Sequence, residues 1–236
     1  MEKLEKEIIN TCKKRYGGNL AGILIFGSYN SGPFVYGVSD VDSIILLRQQ
    51  EGLELAQEKE KILSELADAR LAIHHLRSVE DYERHIYSEG SWSSWITVIN
   101  GSKVLYTTPE LESFRDRLRK KPIDKKKLRG YLVHKDEFEL EGYFKKRSGW
   151  DLVKALFAHM RRKIQILNYY SGNELSFDYL QCLKGIPITD FTEEEWEDLL
   201  ELNDLYQKRG IFAAEDAVGY IEIARRLTSR ILPKIS

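Results

Sequence analysis

The chain has 236 residues, which is long for one domain and comfortable for two. Its apolar fraction of 42% and charged fraction of 31% are those of an ordinary globular protein. Its net charge of −1 creates no overall field that would recruit nucleic acid or a membrane surface. No apolar run approaches the roughly 20 residues of a membrane span, so we expect no membrane partner and disfavour nucleic acid.

The two cysteines, Cys12 and Cys182, lie far apart and form no Cys-x-x-Cys sequence. This spacing argues against a disulfide scaffold or a zinc site and favours a reducing compartment. The charged N-terminal segment has no apolar signal core, so we expect a cytoplasmic protein.

The first predicted elements alternate between helix and strand. The periodicity predicts an amphipathic helix over Glu2–Tyr16, ended by the Gly-Gly-Asn sequence that follows. Two short apolar runs, Ile23–Phe26 and Ile44–Leu47, are rich in β-branched or aromatic residues and predict buried strands. The segment Tyr29–Gly37 between them contains two glycines and a proline, which predict a bent loop.

The next segment is predicted to hold a helix, a strand and a second helix, over Glu51–Ala69, over Arg70–Leu76, and from the capping sequence Ser78–Asp81 to about Ser88. A hairpin-like turn at Asn100–Ser102 is then predicted between strands at Trp92–Ile99 and Lys103–Tyr106.

Beyond Thr108 the pattern is helical throughout. Helices are predicted over Glu110–Lys120, Lys125–Lys146, Gly149–Tyr170, Glu193–Lys208 and Ala213–Leu232, the last ended by Pro233. The predicted fold class is therefore α+β. A small mixed-sheet domain over residues 1–108 is followed by an all-α domain over residues 109–236, whose helical bundle begins near Pro122.

Two acids, Asp40 and Asp42, open the second predicted strand. Residues i and i+2 of a strand point to the same face, roughly 6.5–7 Å apart, so both carboxylates are expected to lie together. Two unpaired carboxylates at that distance repel, and Mg²⁺ relieves the conflict by binding one or two of them together with water and phosphate oxygens. The alternative is a surface turn in which Asp40 caps the backbone, which does not call for two acids on one face.

Gly27 and Ser28 end the first predicted strand. A glycine lets the backbone approach a ligand closely, and backbone N–H groups with a hydroxyl can hold phosphate oxygens.

An apolar-Gly-Ser sequence, eleven intervening residues and then Asp-x-Asp before an apolar strand resemble the nucleotidyltransferase superfamily, which has the polymerase-β-like fold. The resemblance covers roughly Leu20–Thr107. It implies that Gly27 and Ser28 hold the triphosphate of a nucleotide, with Mg²⁺ ions on the two acids. A helical domain behind this one is similar to the arrangement in aminoglycoside- and lincosamide-modifying nucleotidyltransferases.

The resembled family has a third carboxylate on the next strand, which completes the metal site or accepts the proton of the acceptor hydroxyl. The strand Arg70–Leu76 carries no acid, and His74 and His75 stand there instead. Neighbours on a strand face opposite sides, so one histidine should face the two acids, where an imidazole can accept a proton. The alternative places one histidine in the core and the other at the surface. Asp68 and Glu80 flank the strand and are weaker substitutes.

Two charge runs lie in the C-terminal half, nine basic residues within Arg115–Arg129 and eight acidic residues within Asp190–Asp204. The basic run could contact phosphates and the acidic run could attract a cationic acceptor. A solvated helix end and an N-terminal capping box at Thr192–Glu195 are the interpretations we favour.

Together these features predict an enzyme that transfers a nucleoside monophosphate, AMP from ATP, to a hydroxyl of a small antibiotic-like acceptor. Asp40, Asp42, His74 and His75 are the candidate catalytic residues, Asp40 and Asp42 the candidate Mg²⁺ ligands, and Gly27 and Ser28 the candidate nucleotide-binding residues. The alternative is a catalytically weak or inactive module that binds a protein of the antitoxin type.

Overall fold

A computed structural model of the chain describes residues 2–35, 39–67, 70–135, 149–211 and 216–235. The chain divides into two compact units. Unit 1 consists of Met1–Ser88 and Ser94–Pro122, and unit 2 consists of Glu89–Ser93 and Ile123–Ser236.

The described residues of unit 1 form a four-stranded mixed sheet, which confirms the predicted fold class. The strands are β1 (Leu20–Phe26), β2 (Val41–Leu47), β3 (Leu71–Ser78) and β4 (Lys103–Tyr106), in the spatial order β3-β2-β1-β4. β1 runs antiparallel to both β2 and β4, whereas β2 and β3 are parallel. The central strands are buried almost throughout, as their continuous apolar runs require.

Helices pack on the sheet of unit 1. They are α1 (Glu2–Tyr16), the short α2 (Ser28–Ser31), α3 (Leu55–Glu65) and α4 (Val79–Glu89). The buried side chains of α1 recur every fourth residue and join the core beneath the sheet; they are Leu4, Ile8, Cys12 and Tyr16. α3 is shorter at both ends than the helix predicted over Glu51–Ala69.

The predicted hairpin around Asn100–Ser102 is wrong. The segment before it forms α5 (Trp92–Ile96) and a π-helical turn over Thr97–Gly101, not a strand. Within α5 the buried side chains lie at positions 92, 95 and 96, a helical spacing that outweighs the β-propensity of the aromatic and β-branched residues. Lys103–Tyr106 is a strand as predicted, paired with β1.

Helix α6 (Pro109–Lys120) begins at the predicted Thr108-Pro109 sequence and belongs to unit 1. The Thr108 hydroxyl donates to the Ala21 carbonyl of β1 at 2.7 Å. A β-carbon at Gly22 would lie 2.5 Å from Leu111 Cδ2, so the helix packs directly on the strand backbone. Unit 1 therefore includes α6 and extends to Pro122. The predicted domain boundary between residues 108 and 109 stays a prediction.

The described part of unit 2 is helical: α7 (Lys125–His134), α8 (Gly149–Tyr170), α9 (Tyr179–Gly185), α10 (Glu193–Lys208) and α11 (Asp216–Lys234). α8 and α10 have the predicted bounds, and the largely buried α8 packs against α9, α10 and α11. The predicted helix over Lys125–Lys146 is described only to His134, because residues 136–148 lie outside the described ranges.

Two features of the C-terminal helices differ from the prediction. Pro233 lies inside the last turn of α11 and does not end the helix before it. Helix α9 was not predicted, although Asp178 caps it by accepting from the Gln181 backbone N–H at 2.7 Å. None of the helices in the described ranges is long and apolar enough to cross a membrane.

Candidate active site

The turn after β1 fits closely against β2. Gly27 follows the last residue of β1 and has a φ of 68°, in the region that glycine occupies without strain. A β-carbon there would lie 2.2 Å from Asp42 Oδ2. Position 27 therefore requires glycine for two reasons: its backbone has a positive φ, and the Asp42 carboxylate occupies the space of a β-carbon. Ser28 then opens the short helix α2, so the predicted Gly-Ser turn lies directly beside Asp42.

The strand register explains why these residues meet. Asp42 is opposite Phe26 of the antiparallel neighbour β1 and opposite Ala72 of the parallel neighbour β3. Its side chain is 28% exposed, so the carboxylate lies at the edge of the sheet and within reach of solvent. Asp40 lies just before the first residue of β2, not within the strand as predicted, and its side chain is 59% exposed.

His74 is the histidine that the structure places beside Asp42. Its Nε2 lies 2.7 Å from Asp42 Oδ1, and its ring lies 5.2 Å from that of Phe26. The β2–β3 register shifts at this position, so that Ser43 is opposite Ile73 and Ile44 is opposite His75. His74 is therefore the extra residue of a β-bulge, a feature that reorients a side chain at the edge of a functional site.

His75 lies away from the acids, packed against α4. Its ring centroid lies 4.7 Å from that of Tyr82 and 5.2 Å from that of His85. Burial, followed by the neighbouring charges of His85 and Arg77, lowers the pKa of His75 to about 4. His75 is therefore neutral at physiological pH and half-buried against α4, while His74 occupies the position beside Asp42.

Arg70 is a member of this cluster that the sequence did not indicate. Its Nη2 lies 3.1 Å and its Nε 3.2 Å from Asp40 Oδ1. The pairing follows from the parallel register, because Val41 and Leu71 are opposite each other and the residues before them are consequently neighbours. The sequence does show that an acid precedes β2 and an arginine precedes β3. It does not show that these two strands are neighbours, which is a feature of the tertiary structure.

The two weaker substitutes for the third carboxylate do not join the cluster. Glu80 lies in the first turn of α4, beyond the opposite end of β3, and is paired with Arg84 at 3.0 Å. Asp68 lies outside the described residues.

The carboxylates of Asp40 and Asp42 are the candidate ligands for a cation that binds together with a nucleotide. In the described ranges, no group of three or more His, Cys, Asp or Glu side chains is arranged to hold a metal ion by itself. Mg²⁺ is usually bound through one or two carboxylates, with phosphate oxygens and water completing its coordination. Asp40 and Asp42 match this number of carboxylates, so the chemistry of the donor set is that which Mg²⁺ takes when phosphate oxygens complete its coordination.

The charge runs are engaged in local structure. Arg115 donates to the carbonyls of Val98 and Ile99, both at 3.0 Å, and Arg117 pairs with Glu83 at 2.7 Å. In the acidic run, the predicted capping box is present, with Thr192 and Glu195 bonding each other's backbone N–H. These contacts support the structural interpretation of both runs.

Two surface cavities of unit 1 lie elsewhere. One, of about 620 Å³, lies beyond the far ends of β2 and β3 and is lined by Arg48, Glu83, Glu110 and Arg117, among others. The second, of about 460 Å³, lies between α1 and α3. Neither cavity is lined by Asp40 or Asp42. The candidate site is therefore described by the distances between its side chains and not by a cavity.

The family model for the nucleotidyltransferase domain matches residues 5–92, the segment that contains Gly27, Asp40, Asp42 and His74. This segment of the chain therefore matches the nucleotidyltransferase domain, which supports an enzyme of that class. The fold of the chain is similar to that of spectinomycin adenyltransferase AAD(9) from Enterococcus faecialis, whose crystal structure contains ATP and spectinomycin. The likeness has a TM-score of 0.62 at 16% sequence identity and covers 96% of this chain and 99% of the other. At that identity it shows a shared fold. No curated protein matches the chain by sequence.

Proposed function

We propose that the protein is a Mg²⁺-dependent nucleotidyltransferase that transfers AMP from ATP to a hydroxyl group of a small, antibiotic-like molecule. The observation that carries this proposal is the packing of the Gly27 turn directly against the Asp42 carboxylate. It brings a backbone suited to phosphate and an acid suited to a divalent cation to one edge of the sheet.

Asp40 and Asp42 would hold Mg²⁺. When bound, the ion would neutralise negative charge on the α-phosphate and on the departing pyrophosphate. Gly27 and Ser28 form the turn that holds the outer phosphates, because the turn has no side chain at Gly27 to keep a ligand away from the backbone. The fixed positions of these groups hold the α-phosphorus in line for attack.

His74 is the proposed general base. We assign the proton on its Nε2 to the hydrogen bond with Asp42 Oδ1, which leaves the lone pair of Nδ1 available. As the acceptor oxygen forms its bond to the α-phosphorus, its proton passes to Nδ1. The bond from the α-phosphorus to the bridging oxygen breaks, and pyrophosphate leaves with the electron pair. His75 has no part in this step because it packs among the rings of Tyr82 and His85.

The acceptor class is proposed from fold likeness. The structurally similar adenyltransferase is a spectinomycin-modifying protein by its name, and its structure contains ATP. We therefore propose ATP as the nucleotide and hydroxyl-bearing antibiotics as the first acceptors to test. We also propose a cytoplasmic location, because Cys12 and Cys182 are buried free thiols and ATP is available there.

A pyrophosphate-release assay with Mg²⁺, each of the four nucleoside triphosphates and a panel of hydroxylated antibiotics tests the proposal. The panel should include spectinomycin, aminoglycosides and lincosamides, and mass spectrometry should identify an acceptor that has gained AMP. We expect ATP-dependent release with at least one acceptor and none with Asp42→Asn. If no acceptor releases pyrophosphate and the protein binds no nucleotide with Mg²⁺, the result contradicts the proposal and favours the protein-binding alternative.

A further inference from the structure

Arg70 holds an unusual backbone position at the start of β3. Its φ of 48° lies in the left-handed region that residues other than glycine rarely adopt. Its carbonyl accepts from the Val41 N–H at 3.0 Å, which fixes this residue to the first residue of β2. Residues kept in such a conformation are concentrated at functional sites, where the surrounding structure holds them.

The Arg70 side chain contacts a single oxygen of Asp40. Both Nη2, at 3.1 Å, and Nε, at 3.2 Å, lie against Oδ1. This arrangement differs from the parallel fork in which a guanidinium binds both oxygens of a carboxylate. Of the two oxygens, Oδ2 is therefore the one that Arg70 leaves open to a cation.

Asp42 has a parallel arrangement. His74 Nε2 engages Asp42 Oδ1, and Oδ2 is the oxygen that faces Gly27. Each of the two acids thus has Oδ1 occupied by a nitrogen group of β3 or of the residue preceding it. The partners that fix a ligating carboxylate set its orientation and influence which metal it binds.

The coordination mode distinguishes the two common hard cations. Mg²⁺ requires near-ideal octahedral geometry and takes single carboxylate oxygens, whereas Ca²⁺ accepts six to eight oxygens and often binds both oxygens of one carboxylate. Each carboxylate oxygen has two lone pairs, and two nitrogen groups of Arg70 lie against Oδ1 of Asp40, which disfavours the two-oxygen mode at this acid.

We propose that Arg70 is a positioning residue that reserves Oδ1 of Asp40, restricts this acid to one-oxygen coordination and thereby favours Mg²⁺ over Ca²⁺. This inference rests on the proposed function, because it assumes that Asp40 binds the cation of a nucleotide complex. Arg70 acts through Asp40, the acid that its side chain contacts.

Equilibrium dialysis with the α,β-methylene analogue of ATP, which cannot release pyrophosphate, tests the proposal without relying on activity. Retention of the analogue is measured against increasing Mg²⁺ and, separately, increasing Ca²⁺. We expect Arg70→Ala to shift the ratio of the two apparent metal affinities toward Ca²⁺ by roughly tenfold. Arg70→Gly should give the same shift while accommodating the positive φ, so a folding defect of the alanine variant does not decide the result.

Arg48→Ala is the matched control. Arg48 follows β2 and pairs with Glu110 at 3.2 Å, with a side-chain exposure of 42% against 48% for Arg70. Its substitution should leave the ratio unchanged. An unchanged ratio in Arg70→Gly, with the wild type still binding the analogue only when metal is present, overturns the role of Arg70 alone. Absence of metal-dependent retention in the wild type overturns the proposed function and this inference together.

Discussion

Gly27 and Asp42 touch so closely that a β-carbon on the glycine would lie 2.2 Å from Oδ2 of the aspartate. Gly27 follows β1, Asp42 lies in the antiparallel neighbour β2, and the register places Asp42 opposite Phe26, the residue before the glycine. Each would have to move if the other changed. The Gly-Ser turn and the acid are therefore one structural unit.

Gly27→Ala should disable this unit. The substitution introduces a side chain at a φ of 68° and displaces the Asp42 carboxylate, so we expect a stability loss of about 2 kcal/mol or more and loss of pyrophosphate release. Thermal unfolding and the release assay measure the two effects.

Gly52→Ala is the control for the backbone effect. Gly52 has a φ of 74°, but no heavy atom lies within 4 Å of the position of its β-carbon. It should lose only about 1 kcal/mol and keep its activity. Equal activity in both variants would show that contact with Asp42 has no functional importance.

His74→Ala should slow turnover by about 10²-fold, because it removes the proposed base beside Asp42. Single-turnover rates with saturating ATP, Mg²⁺ and the best acceptor give the measurement. His75→Ala should leave the chemical step nearly unchanged and lower the melting temperature instead. If neither substitution slows the chemical step, histidine catalysis is rejected.

His75 should also make stability depend on pH. Its pKa is lowered to about 4 in the folded protein, so between about 6.5 and 4 the unfolded state binds more protons. Its contribution to stability is therefore complete above about pH 6.5 and is lost as the pH falls toward 4. Melting temperatures of the wild type should fall more steeply over this range than those of His75→Phe, which cannot titrate. Parallel curves would contradict the neutral state of His75.

Glu195 should be a stabilising residue of unit 2. It is buried, completes the capping box of α10, and binds Arg226 at 2.5 Å and Arg230 at 2.9 Å on α11. Glu195→Gln should cost roughly 1–3 kcal/mol, because the substitution removes the negative charge that both arginines contact. Denaturant unfolding measures the loss. The neighbouring exposed Glu193, substituted in the same way, should change stability by less than about 0.5 kcal/mol; comparable losses would show that the burial of Glu195 is unimportant.

The relation between the Gly-Ser turn and Asp42 was accessible from sequence because it depends on two local patterns, an apolar run ending in glycine and an acid opening the next run. The choice between His74 and His75 was not, since alternation along a strand leaves both open and the deciding β-bulge arises from pairing with β2. The pairing of Arg70 with Asp40 also depends on which strands are neighbours. For Trp92–Ile96, aromatic composition indicated a strand, whereas burial at helical spacing made a helix more stable.

Calorimetric titration of the α,β-methylene analogue of ATP, with and without Mg²⁺, tests the central claim most directly. The proteins are the wild type, Asp40→Asn, Asp42→Asn and, as control, Asp116→Asn, whose carboxylate is 59% exposed and arginine-paired like that of Asp40. We predict Mg²⁺-dependent binding in the wild type and the control, and affinity weaker by about 10²-fold in each of the other two. Binding that is indifferent to Mg²⁺, or that both substitutions leave intact, would contradict the account.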